Sequence, residues 1–327
     1  MRERLEQYQV LIYLVTIALG LFLGVSAPGA SEWLDVVLWP VLGVLLYATF
    51  TQTPLIHLGE GFREPRLLLA AVIGNFVVIP PLVWAILQVA PGDPAILLGI
   101  ALVLLVPCTD WFITFTHLGG GDTRRAIAFS PISLLLQLAL LPLYLWLFFG
   151  GEFTLALAGE DVLKAFAGLI LVPLILAYLT ERWANDDPGR GHLISGLAWL
   201  PVPLLAVVVF IIAASQVNTV LDGADMLLPL LLIFAGFLVV AALLARALAQ
   251  VFGLPIAEGR VLAFSLGSRN SFVVLPIVLA LPQGLELAVV VVVFQSLVEL
   301  VGMVVYLWWI PGHLFPDRPD RPDRPAA

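Results

Sequence analysis

The sequence predicts an all-α polytopic membrane protein of ten transmembrane helices arranged as two inverted five-helix repeats. Three observations carry that prediction: an apolar composition, ten apolar stretches of spanning length, and a one-sided distribution of basic residues. Of the 327 residues, 61% are hydrophobic and only 12% are charged, and the mean hydropathy is +1.06. Soluble domains carry about 25% charged residues, so a chain with half that fraction takes lipid as its solvent. The formal charge of −8 is spread over short loops and does not point to nucleic acid or to another charged partner. The single cysteine, Cys108, excludes an intrachain disulfide and a Cys-only metal site. The N-terminal segment runs directly into an apolar stretch without an A-x-A cleavage pattern, so it reads as a retained first span.

A spanning helix needs about 20 predominantly apolar residues. That rule places the first five spans at 8–27, 33–51, 67–89, 94–117 and 125–149. The second five follow at 161–180, 192–215, 226–251, 258–281 and 285–310. Turn chemistry fills the gaps, as at Ala27-Pro28-Gly29, Pro91-Gly92-Asp93-Pro94, Asp187-Pro188-Gly189 and Pro282-Gln283-Gly284. With the N-terminus cytoplasmic, thirteen of the fifteen basic residues fall in inside segments, leaving Lys164 near an outside loop and Arg269 within a span. A wrong span count would scramble this asymmetry. The positive-inside rule therefore supports ten spans with both termini cytoplasmic; the expected location is the plasma (inner) membrane. Trp33, Trp183, Trp308 and Trp309 lie near span ends, as interfacial anchors do.

Five spans per half force the second half to enter the membrane with opposite orientation, the arithmetic of an inverted repeat. The expected organisation is a first repeat over 1–150, a second over 160–315, and a Pro-rich, charge-balanced cytoplasmic tail over 316–327 that reads as disordered. The fourth span of each half is interrupted. Pro107-Cys108-Thr109-Asp110 breaks one, and Gly267-Ser268-Arg269-Asn270-Ser271 breaks the other. Paired interruptions point to a transporter's substrate site, because unwound backbone at membrane depth is tolerated only where it lines a cavity or packs in protein.

Asp110, Arg269 and Glu299 fall deep within spans, where each costs at least about 2.5 kcal/mol on insertion scales and should face inward. The expected partner of Arg269 is Asp110, with Glu299 second. Such a pair could be a static tie between the broken helices, or an exchangeable one for which a substrate or proton competes. Cys108 supplies a soft ligand suited to metals and metalloids, and one thiol gives the reversible capture that a carrier needs; its other reading is a small apolar filler. His117 could titrate near neutral pH or sit at the interface. Asn75, Ser130, Ser133, Gln137 and Gln295 read as interhelical hydrogen-bonding groups. The sequence has no P-loop, dinucleotide fingerprint, HExxH or paired catalytic carboxylates, which argues against an enzyme and implies no cofactor. It carries no signal for oligomeric state.

These residues resemble the bile acid:sodium symporter superfamily over about 8–310, and within it the arsenical-resistance permeases. Pro107-Cys108-Thr109 followed by Gly121-Asp122, and Gly267-Ser268-Arg269-Asn270-Ser271, carry the likeness. The resemblance implies a core domain of spans 3–5 and 8–10 beside a panel of spans 1, 2, 6 and 7. It also implies that Cys108 is the metalloid ligand, with Thr109, Asp110, Ser268, Arg269, Asn270 and Ser271 around the substrate. Sodium-coupled members carry glutamate and glutamine where this chain has Ser265 and Arg269, and Ser-Asn where it has Phe112-Ile113. Arsenite permeases have a glutamate in the ninth span where this chain has Phe272. The implied function is sodium-independent efflux of arsenite or a similar metalloid by proton antiport. The other reading is a sodium-independent carrier of a small organic anion, with Arg269 as carboxylate partner. The implied partners are the lipid bilayer, the small substrate and protons, with Asp110, Arg269, Glu299 and His117 as coupling or ion-pair residues.

Overall fold

In a computed structural model, residues 2–317 are described, except 28, 30, 54, 56–64, 152–158 and 187–189. They form helices throughout, with no sheet among the described residues. The first helices are α1 (Arg2–Ser26), α2 (Ser31–Phe50) and α3 (Pro65–Val89, with a π turn at Gly74–Val78). The first broken helix follows as α4 (Pro94–Leu105) and α5 (Trp111–Leu118). Next come α6 (Thr123–Phe149), α7 (Glu160–Asn185, with a π turn at Phe166–Leu171), α8 (Gly191–Ser215), α9 (Val217–Asp222) and α10 (Ala224–Val251). The second broken helix is α11 (Ile256–Gly267) and α12 (Ser271–Leu279), and α13 (Leu287–Leu314) closes the fold.

Seven of these helices, α2, α3, α6, α7, α8, α10 and α13, are long and apolar enough to cross a bilayer. Leu11–Ser26 within α1 and α4 are shorter apolar stretches. Their outer faces carry large apolar side chains in the open, among them Phe22, Leu228, Leu232 and Val304. A surface of that kind is stable only against lipid. The protein is a multi-pass membrane protein.

Packing divides the helices into two groups. The first contains α1, α2, α7 and α8; the second contains α3–α6 and α10–α13. The first group is drawn tight by Gly20 and Gly24, spaced four apart on α1. A Cβ at Gly20 would collide with the carbonyl oxygen of Phe210, and one at Gly24 with that of Ala214. In lipid, helices associate through close contact and not through apolar burial, so the missing side chains are what permit it. Helix starts in the second group are capped locally. The Asp93 carboxylate accepts from the backbone N–H groups of Ala95 (2.8 Å) and Ile96 (3.2 Å), ahead of Pro94. Asp122 caps α6 through Arg125 N at 3.2 Å.

The expected disordered tail, 316–327, lies outside the described residues from 318 onward. Just before it the chain is held: Arg260 donates to the carbonyl of Phe315 (2.8 and 3.1 Å) and to the carboxylate of Asp317 at 2.9 Å.

Candidate functional site

Both interruptions fall where a helix is stopped by its own sequence. Pro107 has no N–H to give to the fourth preceding carbonyl, so α4 ends at Leu105. The second break, Ser268-Arg269-Asn270, lies between Gly267 at the end of α11 and the first turn of α12, where the Asn270 carboxamide accepts from Val273 N at 3.3 Å. The freed backbone groups of each break find partners in the other. Cys108 N donates to Ser268 O at 3.0 Å and Asn270 N donates to Val106 O at 2.8 Å. These two bonds make an antiparallel bridge centred on Pro107 and Arg269. Four half-helix ends thus meet at one crossing, and the unwound backbone is satisfied inside protein.

Side chains reinforce the bridge. Asn270 Nδ2 donates to Thr109 Oγ1 at 3.2 Å, and the Thr109 carbonyl accepts from the Ser130 hydroxyl of α6. Ser268 reaches Met303 Sδ at 3.4 Å, and Ser271 donates to Gln295 Oε1 at 2.9 Å. Gln295 Nε2 and the backbone N–H of Arg269 both donate to Glu299 Oε2, at 2.7 and 2.8 Å. The Cys108 thiol donates to Asp110 Oδ1 at 3.1 Å.

Arg269 departs from the expectation drawn from the sequence. Its guanidinium pairs with neither Asp110 nor Glu299; among the described residues no carboxylate forms an ion pair with it. It donates to the carbonyls of Leu104 (3.1 Å), Ser265 (3.1 Å) and Leu266 (2.6 Å) and to Asn75 Oδ1 (2.9 Å). It also lies 5.4 Å from the ring of Phe237. The physical reason is local. Those three carbonyls belong to the last turns of α4 and α11, which have no helical N–H partners and carry the negative ends of two helix dipoles. An arginine two residues beyond α11 folds back onto its own i−3 and i−4 carbonyls sooner than it reaches a carboxylate across the crossing. Arg269 is 2% exposed.

His117 is not brought to the crossing. It sits on the last turn of α5, exposed, with Nδ1 3.3 Å from Thr123 Oγ1. Asn75, Gln295 and Ser130 are interhelical bonding groups as expected. The buried side chains of Ser133 and Gln137 have no such partner among the described residues.

A cavity of about 490 Å³ separates the first helix group from α5 and α6. Asp110 and Trp111, the residues that leave the first break, line it, opposite Gln9, Gln52, Glu181 and Asn185. Trp111 is stacked on Tyr13 of α1 (centroids 6.4 Å, 8° between planes) and meets Phe272 of α12 edge-on at 5.0 Å. The aromatic ladder joins the two helix groups beside both breaks. Sequence reasoning missed Gln9, Trp111 and Glu181, which have no motif spacing and converge only through folding.

The family model for the Sodium Bile acid symporter family matches residues 39–223, more than half of the chain. The chain belongs to this family. The match includes the first broken helix and ends before the second. Two rice proteins, each a probable sodium/metabolite cotransporter BASS4, chloroplastic, from Oryza sativa subsp. indica and subsp. japonica, are 29% identical over 111 residues. The alignment takes in 34% of this chain and 26% of each relative. Family membership and the long apolar helices together describe a membrane-embedded protein.

Proposed function

We propose that the protein is a sodium-independent secondary carrier whose substrate site is the crossing of its two broken helices. In this reading the chain crosses the membrane ten times, as inverted repeats over 1–150 and 160–315, with both termini cytoplasmic. The observation that carries it is the guanidinium of Arg269 among the carbonyls of Leu104, Ser265 and Leu266 and the amide oxygen of Asn75. Oxygens that converge from half-helix C-terminal ends and a neighbouring helix are the donor set that holds a coupling cation in broken-helix transporters. Here a covalently attached cation takes those oxygens. The role that sodium plays for relatives named as sodium cotransporters is filled by the chain itself.

The cargo in this reading is arsenite or a similar small metalloid species. Cys108 is the soft ligand, with Thr109, Asp110, Ser268, Asn270 and Ser271 shaping its surroundings. Arg269 stands behind the site and does not touch cargo. Proton antiport supplies the drive, and the carboxylates of Asp110 and Glu299 are the groups that can carry the proton. His117 lies a full helix away and takes no part. The organic-anion reading, with Arg269 as carboxylate partner, has no observation in its favour, since the guanidinium is turned away from the cavity.

The test is growth of arsenite-sensitive cells expressing the native chain or Cys108→Ser, at matched membrane levels, with and without a sodium gradient. The native chain should confer resistance, the serine variant should not, and sodium should change neither. Resistance that survived loss of the thiol, or that rose steeply with sodium, would sink the proposal.

A further inference from the structure

We infer that the cavity in front of the crossing is a charge filter: it admits uncharged and cationic solutes that donate hydrogen bonds and turns anions away, with Asp110 as its specificity-determining residue. The inference rests on reading the chain as a carrier loaded through this cavity.

Four observations lead to it. First, no lysine or arginine is among the described residues lining the cavity, while two carboxylates, Asp110 and Glu181, are. Glu181 accepts from Leu55 N at 2.9 Å and has a further partner, which leaves Asp110 as the carboxylate that matters. Second, the Asp110 carboxylate is uncommitted toward the cavity. It does not cap its own helix α5, it pairs with no cation among the described residues, and its side-chain bond is to the Cys108 thiol behind it. Third, the Gln9 amide lines the cavity at 7% exposure and has no hydrogen-bond partner within the described protein. Its amide is therefore open to the cavity and can bond a solute that enters it. Fourth, the positive charge nearest the crossing, Arg269, faces the other way, consumed by four oxygens.

One effect opposes the filter. The N-terminus of α5 opens beside Asp110 and attracts negative charge. A helix end amounts to about half an elementary charge, against a full charge on the carboxylate, so repulsion of an anion wins. At about 5 Å and an effective dielectric constant near 20, a like unit charge is disfavoured by a factor on the order of a hundred. A volume of about 490 Å³ is within the range of small-molecule sites. The Trp111 ring, locked between Tyr13 and Phe272, adds an aromatic face of the kind that cations favour. Cys108 itself is buried behind Asp110 and does not line the cavity. A solute therefore passes the carboxylate before it meets the thiol, and discrimination by charge comes before capture by sulfur.

The experiment uses the purified full-length chain in detergent and reads the shift in thermal unfolding with added arsenous acid, arsenate, tetramethylammonium and acetate, each against equal ionic strength of sodium chloride. Arsenous acid is an uncharged trihydroxyl species at neutral pH and arsenate is an anion, so the pair varies charge at constant element. Arsenous acid and tetramethylammonium should raise the unfolding temperature, while arsenate and acetate should not. Asp110→Asn should narrow the preference for arsenous acid over arsenate by about a hundredfold, and Asp110→Glu should keep it. Arsenate or acetate binding to the native chain as tightly as arsenous acid or tetramethylammonium, or no binding by any of the four, would overturn the filter. So would an unchanged preference in Asp110→Asn. If that variant does not fold, the ranking of the four solutes on the native chain still decides. Binding of tetramethylammonium alone, with both arsenicals and acetate refused, would keep the filter and remove the metalloid cargo. Equal binding of both arsenicals would keep the cargo and remove the filter.

Discussion

The two broken helices answer the same physical problem with opposite surroundings. At the second break every residue from Glu258 to Val278 is buried, and the two terminal nitrogens of its guanidinium are taken up by carbonyls from its own helix and from α4, while Nε has no partner among the described residues. At the first break the chain passes from buried Thr109 to the partly exposed Asp110 and Trp111, which open onto a cavity. One break therefore works as a pin that neutralises two helix ends, and the other presents chemistry to a space that a solute can enter. Likeness of sequence pattern, a short polar interruption in an apolar helix, does not imply likeness of role. What a break does depends on whether its side chains point back along the chain or out of it.

Substitutions at the crossing should separate these roles, beginning with the largest effect. Arg269→Met leaves the last carbonyls of α4 and α11 unpaired and removes the charge that neutralises both helix ends. A loss of about 3–5 kcal/mol is expected, on the scale of breaking a buried charged network, read as a lower unfolding temperature in detergent. A stability close to wild type would show that the guanidinium is not the pin. Asn270→Ala removes both the N-cap of α12 and the tie to Thr109. Capping changes cost about 1 kcal/mol, so an intermediate fall is expected in the same assay, with the protein still folded. Cys108→Ser should change stability least, by under about 1 kcal/mol, because the hydroxyl can replace the thiol as donor to Asp110. If the cysteine variant proved as destabilising as the arginine variant, the first break would be structural too, and the contrast between them would collapse.

Much of this was legible from residues alone. The apolar stretches marked the helices to within about six residues of their observed ends, because a membrane helix must satisfy its backbone internally and its sequence must read as lipid-compatible throughout. Pro107 and Gly267 marked both breaks, since the missing N–H and the missing side chain act on the chain locally. The pairing of Arg269 with Asp110 was a sequence expectation that folding overruled. It rested on complementary charge at matching depth, and it left out the backbone carbonyls, which carry no signature in sequence yet lie closer to the guanidinium than any carboxylate. Gln9, Tyr13 and Trp111 were similarly silent, coming from α1 and α5 with no spacing to connect them.

Sequence by itself determined that the chain lives in a bilayer, where its helices lie, and where two of them break. Those properties follow from hydropathy and backbone valence, which each residue carries with it. Only the tertiary structure decided that the breaks hydrogen-bond to each other, that Arg269 faces carbonyls while Asp110 faces a cavity, and that an aromatic ladder joins the two helix groups beside them. Those are properties of direction, and a side chain acquires a direction only once the helix that bears it has been packed against its neighbours.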